Sequence, residues 1–372
     1  MKILITGCNG FVASNLIVHL KRNPDVQLLL LPNKHSLETL EDYLINADFI
    51  YHLAGVNRPL NIEEFQESNV DFTNYIISFL IKKNKQTPIL FSSSTQAEHD
   101  NEYGVSKKKA ENIVLKYAKK METQCYIYRL PNIFGKWSRP NYNSVVATWC
   151  YNISRNKKIT VNDSKTLLDL VYIDDVINSF LERLDINNSK DITRDSFCTI
   201  KPVFKKSLGE IAKLLSDFKD NRDSLIVPNV GSGFERALYA TYLSYLNIND
   251  FKYEIDGHSD SRGTFYEILK TFSSGQFSIS TTEPGITRGN HYHHTKNEKF
   301  LVVKGKGKLE YRNILTNERK TYYVSDKKME IIEMIPGYTH NIKNIGDEKM
   351  ILLLWANEVY DENNPDTFYE EI

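Results

Sequence analysis

The sequence has 372 residues, and its 47 basic and 47 acidic side chains leave a formal net charge of zero. This balance argues against nucleic acids and anionic membranes as partners, because both attract basic proteins. No apolar run approaches the roughly 20 residues that cross a bilayer, and a predicted strand begins at Lys2 with no signal peptide before it. The four cysteines are scattered, which is typical of reduced thiols. We therefore expect a cytoplasmic protein of two or three domains.

A glycine-rich turn follows the first predicted strand and leads into a helical pattern of apolar residues. The turn spans residues 7–13, and its two glycines, Gly7 and Gly10, allow the backbone to approach a pyrophosphate. The N-terminus of the following helix supplies N–H donors and a partial positive charge. This order of strand, turn and helix predicts a dinucleotide site that includes Gly7, Asn9, Gly10, Phe11 and Val12.

The loop after the second predicted strand, Gln27–Leu31, indicates which nicotinamide cofactor binds. An acidic residue in this loop would favour the free ribose hydroxyl of NAD, but residues 32–36 contain none. Lys34, His35 and Ser36 could instead hold a 2′-phosphate, so we predict NADP(H); the alternative is that Lys34 is a solvated loop residue. The third predicted strand, 48–53, leads into small residues that let the chain pass under the cofactor. The predicted cofactor site therefore also includes Leu53, Ala54 and Gly55.

Tyr103 and Lys107 lie one helical turn apart, so both side chains face the same side of a predicted helix. A lysine at this spacing lowers the pKa of the phenol and can hold the nicotinamide ribose. Tyr103 can then exchange a proton with a carbonyl oxygen, and the Ser94 hydroxyl, at the end of the central predicted strand, can share that oxygen. Tyr103, Lys107 and Ser94 thus form the predicted catalytic group of a reductase.

Together these motifs resemble the extended short-chain dehydrogenase/reductases over about residues 1–245. The resemblance continues through residues 129–135, where Leu130 is expected at the cofactor and Asn132 at the substrate. It implies a Rossmann domain that holds a nucleotide sugar against a small C-terminal lobe. Asn143 is a further candidate to contact that sugar, and the alternative of a solvated loop residue stays open.

The pattern changes after residue 247 to short alternating strands separated by turns, which predicts a double-stranded β-helix or jelly roll. We therefore expect an α/β Rossmann reductase domain with its substrate lobe at residues 1–246. Residues 247–372 are expected to form an all-β domain.

Four residues of the all-β region form a candidate metal site. His291 and His293 point the same way on a strand, because side chains alternate with period two, and Glu298 and His340 can join them from other strands. Three imidazoles and a carboxylate are a plausible ligand set for a divalent transition metal. The spacing of these residues and their flanking glycines resembles the two cupin motifs. A metal in such a cup can be catalytic or structural, and both alternatives stay open.

A second resemblance competes for the same residues. Arg288, His291, Lys299 and an upstream segment with Arg262 and Glu267 are similar to 3,5-epimerases of nucleotide-linked 4-keto-6-deoxy sugars. In that family the histidine removes a proton beside the ketone, and a lysine near Lys299 helps to hold the enolate. The resemblance implies that Arg288 binds substrate. Because His291 cannot be a metal ligand and a free base at once, we prefer the ligand and leave the base unassigned.

Across nearly its full length the chain resembles bifunctional capsular polysaccharide enzymes that join an extended reductase to a cupin. Residues 56–59, 136–144, 291–303 and 364–368 carry this resemblance. It implies a homodimer, zinc in the cupin and a UDP-linked 2-acetamido-2,6-dideoxy-4-hexulose as substrate. The cupin would epimerise C3, and the reductase domain would then reduce C4 with NADPH. The product would be UDP-N-acetyl-6-deoxy-L-talosamine, on the way to UDP-N-acetyl-L-fucosamine.

Two other hypotheses remain. In one, only the reductase is active and the cupin is a dimerisation scaffold. In the other, the protein is a redox sensor that binds NADP(H) and a metal without turnover. A sensor has no need of the Tyr103 and Lys107 pair, so this pair argues against the second hypothesis.

Overall fold

The computed structural model describes residues 1–184, 197–260, 263–266, 269–271, 275–358, 361 and 363–372. The chain forms two compact units, one of residues 1–133 and 168–205 and the other of residues 134–167 and 206–372. The division that we predicted between residues 246 and 247 falls within the second unit and stays a prediction. Among the described residues, no helix combines the length and apolar character needed to cross a membrane.

The elements are numbered in chain order. The strands are β1 Lys2–Thr6, β2 Gln27–Leu31, β3 Phe49–His52, β4 Ile89–Ser94, β5 Cys125–Leu130, β6 Asn132–Phe134, β7 Leu167–Tyr172, β8 Phe197–Cys198, β9 Phe204–Ser207, β10 Ile226–Val227, β11 Lys252–Glu254, β12 Gly257–Asp260, β13 Gly263–Tyr266, β14 Lys270–Thr271, β15 Gln276–Thr282, β16 Thr287–Tyr292, β17 Glu298–Lys304, β18 Lys306–Asn313, β19 Arg319–Ser325, β20 Glu330–Met334, β21 Tyr338–Asn344, β22 Met350–Ala356 and β23 Phe368–Tyr369. The helices are α1 Phe11–Leu20, α2 Leu37–Asn46, α3 Glu63–Phe65, α4 Phe72–Lys82, α5 Glu102–Met121, α6 Val145–Ile153, α7 Ile173–Glu182, α8 Leu208–Ser224 and α9 Gly233–Ser244.

A six-stranded parallel sheet in the order β2-β1-β3-β4-β5-β8 forms the centre of the first unit. Strands β1 and β3 are almost wholly buried because their sequences are nearly continuous apolar runs. The sheet core also contains tyrosines whose hydroxyls are bonded, since Tyr51 donates to the Phe180 carbonyl at 2.8 Å and Tyr128 to the Ser179 carbonyl at 3.1 Å. The parallel sheet confirms the predicted Rossmann fold.

Two five-stranded antiparallel sheets form the cup of the second unit. Their orders are β11-β20-β17-β22-β15 and β19-β18-β21-β16-β23. They face each other, because the Tyr311 hydroxyl of β18 donates to the Glu333 carbonyl of β20 at 2.9 Å, and Phe300 of β17 lies against His340 of β21. Alternate residues of β18 are buried between the sheets, as period-two strands require. This architecture confirms the predicted all-β cupin.

The start of α5 leaves no space for a side chain at Gly104. A Cβ atom there would lie 2.0 Å from the Gln96 carbonyl oxygen and 2.7 Å from that of His99. The Gly104 N–H is also held by the Asn101 side chain at 2.9 Å, so the helix cannot easily move away.

We expect Gly104→Ala to lower the free energy of unfolding by about 1–3 kcal/mol, although alanine is the better helix former. Urea denaturation monitored by circular dichroism would measure the change. Lys108→Ala, at an exposed position of the same helix, should change stability little. Equal or greater stability of Gly104→Ala would contradict the close packing at this turn.

Candidate active site and metal centre

The glycine turn has the shape of a dinucleotide cradle. Gly7 has a φ of +66°, and a Cβ atom there would lie 2.8 Å from the Ala54 Cα atom. The Gly10 N–H donates to the Gly7 carbonyl at 2.9 Å. Gly10 is the N-cap of α1, and no side chain caps the N–H groups of the first turn. The first N–H groups of α1 can therefore receive a phosphate, with Asn9 exposed beside them and Phe11 and Val12 half-buried.

The segment after β3 passes between this turn and the predicted catalytic lysine. A Cβ atom on Gly55 would lie 2.9 Å from Asn69 Oδ1 and 3.0 Å from Lys107 Nζ, so a side chain there would displace these two groups. Asn69 holds the segment in place by accepting from the Val56 N–H at 2.8 Å and donating to the Val56 carbonyl at 3.0 Å. The structure thus brings Leu53, Ala54 and Gly55 beside both Gly7 and Lys107.

A buried histidine that our sequence reasoning did not assign connects the ends of β1 and β3. The Thr6 hydroxyl accepts from the Ala54 N–H at 3.1 Å and donates to His52 Nδ1 at 2.8 Å. His52 Nε2 contacts the Thr73 hydroxyl at 2.9 Å, and that hydroxyl donates to the Asn69 carbonyl. Burial, with a smaller effect of Lys107, lowers the pKa of His52 to about 3, so the ring is neutral. No short motif marks this residue.

The predicted catalytic residues meet at the carboxyl end of β4. Burial raises the pKa of Tyr103, while a side-chain hydrogen bond with Ser94 acts in the opposite direction. The buried Lys107 ammonium donates to the Ser92 carbonyl at 2.9 Å and lies 5.0 Å from the centre of the Phe91 ring. Burial lowers the pKa of Lys107 to about 8, although Glu111 counteracts this effect. Ser94, Tyr103 and Lys107 are therefore close together, as the sequence predicts.

One sequence expectation about this group needs correction. We expected Lys107 to lower the pKa of Tyr103, but the net shift is upward and burial is its largest cause. The physical reason is that burial of the phenol outweighs its hydrogen bond with Ser94, while the Lys107 ammonium is bonded to the Ser92 carbonyl.

A second ionic contact, also unassigned from the sequence, ties α5 to the sheet. Glu111 is buried and accepts two hydrogen bonds from Arg129, at 2.9 and 2.7 Å. It also accepts from the Ser93 hydroxyl at 2.5 Å, next to Ser94, which is predicted to be catalytic. Glu111 lies one helical turn beyond Lys107, so two successive turns of α5 are fixed to the end of β4.

The remaining predicted cofactor and substrate residues are more dispersed. Lys34 is exposed in the loop after β2, and Leu130 is buried at the end of β5. Asn132 is exposed and donates to the Asp169 carbonyl at 3.4 Å. Asn143 is an exposed residue of the second unit, before α6. Arg288 is exposed on β16 and donates to the Thr281 carbonyl at 3.0 Å.

The four predicted metal ligands come together within the cup. One ligand atom from each of His291, His293, Glu298 and His340 lies within 4.8 Å of the others. A β-bulge at Asn290, which has a φ of +57°, shifts the register of β16 so that His291 lies opposite His340 of β21. Glu298 enters from the start of β17 in the facing sheet. The bulge and the two facing sheets therefore create a site that no single strand provides.

Local hydrogen bonds and burial prepare the donor set for a cation. His293 Nδ1 donates to the Asp366 carbonyl at 2.5 Å, so its Nε2 faces Glu298 at 3.3 Å. Burial and the neighbouring imidazoles lower the pKa of His291 to about 3, and burial lowers that of His340. Although burial opposes ionisation, contacts with His293 and His340 hold the pKa of the Glu298 carboxyl well below its usual range. Imidazole nitrogens and carboxylate oxygens are donors that zinc accepts, so these four residues fit the metal.

The structure does not place Lys299 in the cup, and this corrects our expectation that it holds an enolate there. Lys299 follows Glu298 on β17, so its side chain points to the other face of the strand. Its ammonium donates to Glu333 at 2.5 Å and to the Tyr253 hydroxyl at 3.0 Å, and Arg222 also contacts Glu333. Burial opposes the charge, but the Glu333 carboxylate and neighbouring tyrosines raise the pKa of Lys299. Lys299 therefore belongs to a buried ionic network.

Two residues of the epimerase resemblance, Arg262 and Glu267, lie outside the residues that the structure describes.

Two families match separate parts of the chain. Residues 3–193 match the NAD dependent epimerase/dehydratase family. Residues 258–368 match the polysaccharide biosynthesis C-terminal domain.

Relatives that extend over the whole chain are also found. The chain is 46% identical over 368 residues to UDP-2-acetamido-2,6-beta-L-arabino-hexul-4-ose reductase of Pseudomonas aeruginosa, with 99% of this chain and 98% of the relative covered. It is 44% identical to the capsular polysaccharide assembling protein CapF from Staphylococcus aureus, whose crystal structure matches with a TM-score of 0.68 over 100% of both chains. A UDP-glucuronic acid 4-epimerase from Bacillus cereus shares the fold over 59% of this chain and 83% of its own, with 20% identity and a TM-score of 0.52.

The neutral state of His52 predicts a pH dependence of stability. Burial holds its folded-state pKa at about 3, below the ordinary value of 6.5. Between these pKa values the unfolded chain binds a proton at His52 that the folded chain does not bind. The contribution of His52 to the free energy of unfolding is therefore fully present above pH 6.5 and decreases as the pH falls below that value. We expect protonation of His52 in the unfolded chain to lower the free energy of unfolding by on the order of 2 kcal/mol between pH 7 and pH 5.

Urea denaturation of wild-type protein and His52→Gln at several pH values would measure this contribution. The variant should be less stable at pH 7 but lose less stability on acidification. His35→Gln, in a surface loop, should retain the wild-type slope. An unchanged slope in His52→Gln would contradict a neutral, buried imidazole at this position.

Proposed function

The chain belongs to the NAD dependent epimerase/dehydratase family, in the form represented by CapF, and we propose that it converts a UDP-linked 4-keto sugar in two steps. The Rossmann unit reduces the C4 ketone with NADPH, and the cup first epimerises C3. The observation that carries the proposal is the presence of two separate groups of reactive side chains in one chain. These are Ser94, Tyr103 and Lys107 at the end of β4, and the four-residue cluster in the cup.

The reduction is supported by the site geometry and by a relative. The relative that is 46% identical over 99% of this chain is named as a reductase of a UDP-linked hexul-4-ose. Bound NADPH supplies the hydride for C4. Tyr103 donates the proton to the C4 oxygen, and Ser94, which is bonded to Tyr103, holds that oxygen. Lys107 lies close enough to Gly55 to contact a cofactor that passes over this segment.

The preference for NADP(H) rests on the loop after β2. Lys34 is exposed in this loop, so its ammonium is available to a 2′-phosphate. The Ser36 side chain is less available, because it caps α2. The family description itself refers to NAD. Lys34→Ala should therefore raise the KM for NADPH more than that for NADH.

The epimerisation is supported by the ligand cluster and by the chemistry of the substrate. A 4-keto sugar has acidic C–H bonds beside its carbonyl, so its C3 centre can be inverted through an enolate before reduction fixes the result. Bound zinc supplies a Lewis acid for the carbonyl or a structural link between the sheets. We assign His291, His293, Glu298 and His340 as its ligands, and the residue that removes the C3 proton remains unassigned.

The proposed substrate is a UDP-linked 2-acetamido-2,6-dideoxy-4-hexulose, and the product is UDP-N-acetyl-6-deoxy-L-talosamine. The polysaccharide biosynthesis C-terminal domain supports a role in making capsule or O-antigen precursors. We further propose that the enzyme acts in the cytoplasm as a homodimer.

A second candidate function is reduction alone, with the cup as a scaffold. It is favoured by the name of the full-length relative, which mentions a reductase only. Solvent isotope exchange separates the two candidates, because a scaffold does not exchange the C3 hydrogen.

We expect Tyr103→Phe to lower kcat for NADPH oxidation by about 100-fold or more, because the variant cannot donate a proton to the C4 oxygen. NADPH binding, measured by fluorescence titration, should be retained. Tyr43→Phe, at a half-buried position of α2, provides a matched control. Turnover near the wild-type rate in Tyr103→Phe would refute the assigned role.

For the cup, wild-type protein incubated with the 4-keto sugar in heavy water without NADPH should incorporate deuterium at C3. Metal analysis should give about one zinc per chain. His340→Ala should lose both the zinc and the exchange, because it removes one of the ligands. Normal deuterium exchange in a zinc-free variant would refute the role of the metal. If the zinc-loaded wild type showed no exchange, epimerisation would be refuted and reduction would be the only activity supported.

A further inference from the structure

The end of the chain lies against the elements that carry the histidine cluster. We call residues 366–370 the C-terminal strap. Its strand β23 pairs with β16, with Tyr369 opposite His291 and Phe368 opposite Tyr292. Farther along, the Glu370 carbonyl accepts a hydrogen bond from the Thr339 hydroxyl, next to His340 on β21. The strap therefore contacts β16 through its backbone and β21 through the Thr339 side chain, and these strands carry His291 and His340.

Asp366 begins the strap, and both its backbone carbonyl and its carboxylate accept hydrogen bonds from the segment that follows β16. Its carbonyl accepts from His293 Nδ1 at 2.5 Å. Its carboxylate accepts from three successive backbone N–H groups, those of His294 at 2.9 Å, Thr295 at 2.6 Å and Lys296 at 2.6 Å. The Thr295 hydroxyl donates to the same carboxylate at 2.9 Å. One residue thus holds both the ring of His293 and the turn between His293 and Glu298.

These contacts have a consequence for the chemistry of His293. Because a carbonyl oxygen can only accept, Nδ1 of His293 carries a proton, and Nε2 faces the cluster. The carboxylate fixes the turn that leads from His293 to Glu298, so it sets the spacing of these two ligands.

We propose that Asp366 is a positioning residue for the metal centre, which selects the Nδ1-protonated form of His293 and holds the turn that presents His293 and Glu298. This inference rests on the proposed metal site. Partners that orient a metal-bound histidine commonly change metal affinity by about 10–100-fold when they are removed. The C-terminal strap would then be part of the metal site, although its contact with His293 joins residues 73 positions apart in the sequence.

The test uses full-length protein, with zinc affinity measured by competition with a chelator. Asp366→Ala should weaken zinc binding by about 10–100-fold, since the turn loses its acceptor for three N–H groups. Asp366→Asn keeps the side-chain shape and one oxygen acceptor, so its zinc affinity should fall less than that of Asp366→Ala. Tyr369→Phe is the matched control, because Tyr369 is an exposed strap residue whose hydroxyl is bonded to Glu371. It should bind zinc like the wild type.

Two further readouts separate positioning from a general loss of stability. If Asp366 positions the metal, zinc should raise the Tm of the variants less than that of the wild type, because weaker binding gives less stabilisation. The absorption spectrum of the cobalt(II)-substituted protein should also change in Asp366→Asn, because it reports ligand geometry.

Wild-type zinc affinity, an equal zinc-induced rise in Tm and an unchanged cobalt spectrum in both variants would overturn the role of Asp366. A wild-type protein that binds no zinc would instead refute the proposed metal centre, and the inference with it.

Discussion

The hydrogen bond from the Lys107 ammonium to the Ser92 carbonyl fixes α5, which carries Tyr103, to the central strand β4 of the Rossmann sheet. A buried ammonium needs such a partner, because burial without one would cost several kcal/mol. One turn further along α5, Glu111 is bonded to Arg129 and to Ser93, so the helix is held at two successive turns. Tyr103 lies one turn before Lys107 and is consequently held beside Ser94. The position of the proposed proton donor therefore follows from ionic contacts farther along the same helix.

The cup depends on a different constraint, namely the pairing of β16 with β21 across the bulge at Asn290. The bulge places His291 opposite His340, and Glu298 completes the group from the facing sheet. Burial keeps the imidazoles of His291 and His340 neutral, while the Glu298 carboxyl remains ionised. These are the protonation states of a metal site, and they arise from the fold before any metal binds. The two constraints together give one chain the two groups of side chains on which the proposed reduction and epimerisation depend.

Local patterns in the sequence predicted much of this arrangement. Helical spacing correctly placed Tyr103 and Lys107 on one side of α5, and strand motifs identified the four residues that meet in the cup. The same strand alternation separates Lys299 from Glu298, so the misplacement of Lys299 came from following a family position rather than the period of the strand. His52, Glu111 and Asp366 were not assigned because their partners are distant in sequence. The contact of Asp366 with His293 spans 73 positions, and no spacing rule predicts it.

The most direct test of two-step catalysis labels both hydrogens in one product. Full-length enzyme, the UDP-linked 4-keto sugar and NADPH deuterated at its transferable hydrogen would react in heavy water, and NMR would locate deuterium in the reduced sugar. We expect deuterium at C3 from the solvent and at C4 from the cofactor in the same molecule. A reduced product with deuterium at C4 and hydrogen retained at C3 would contradict epimerisation by the cup.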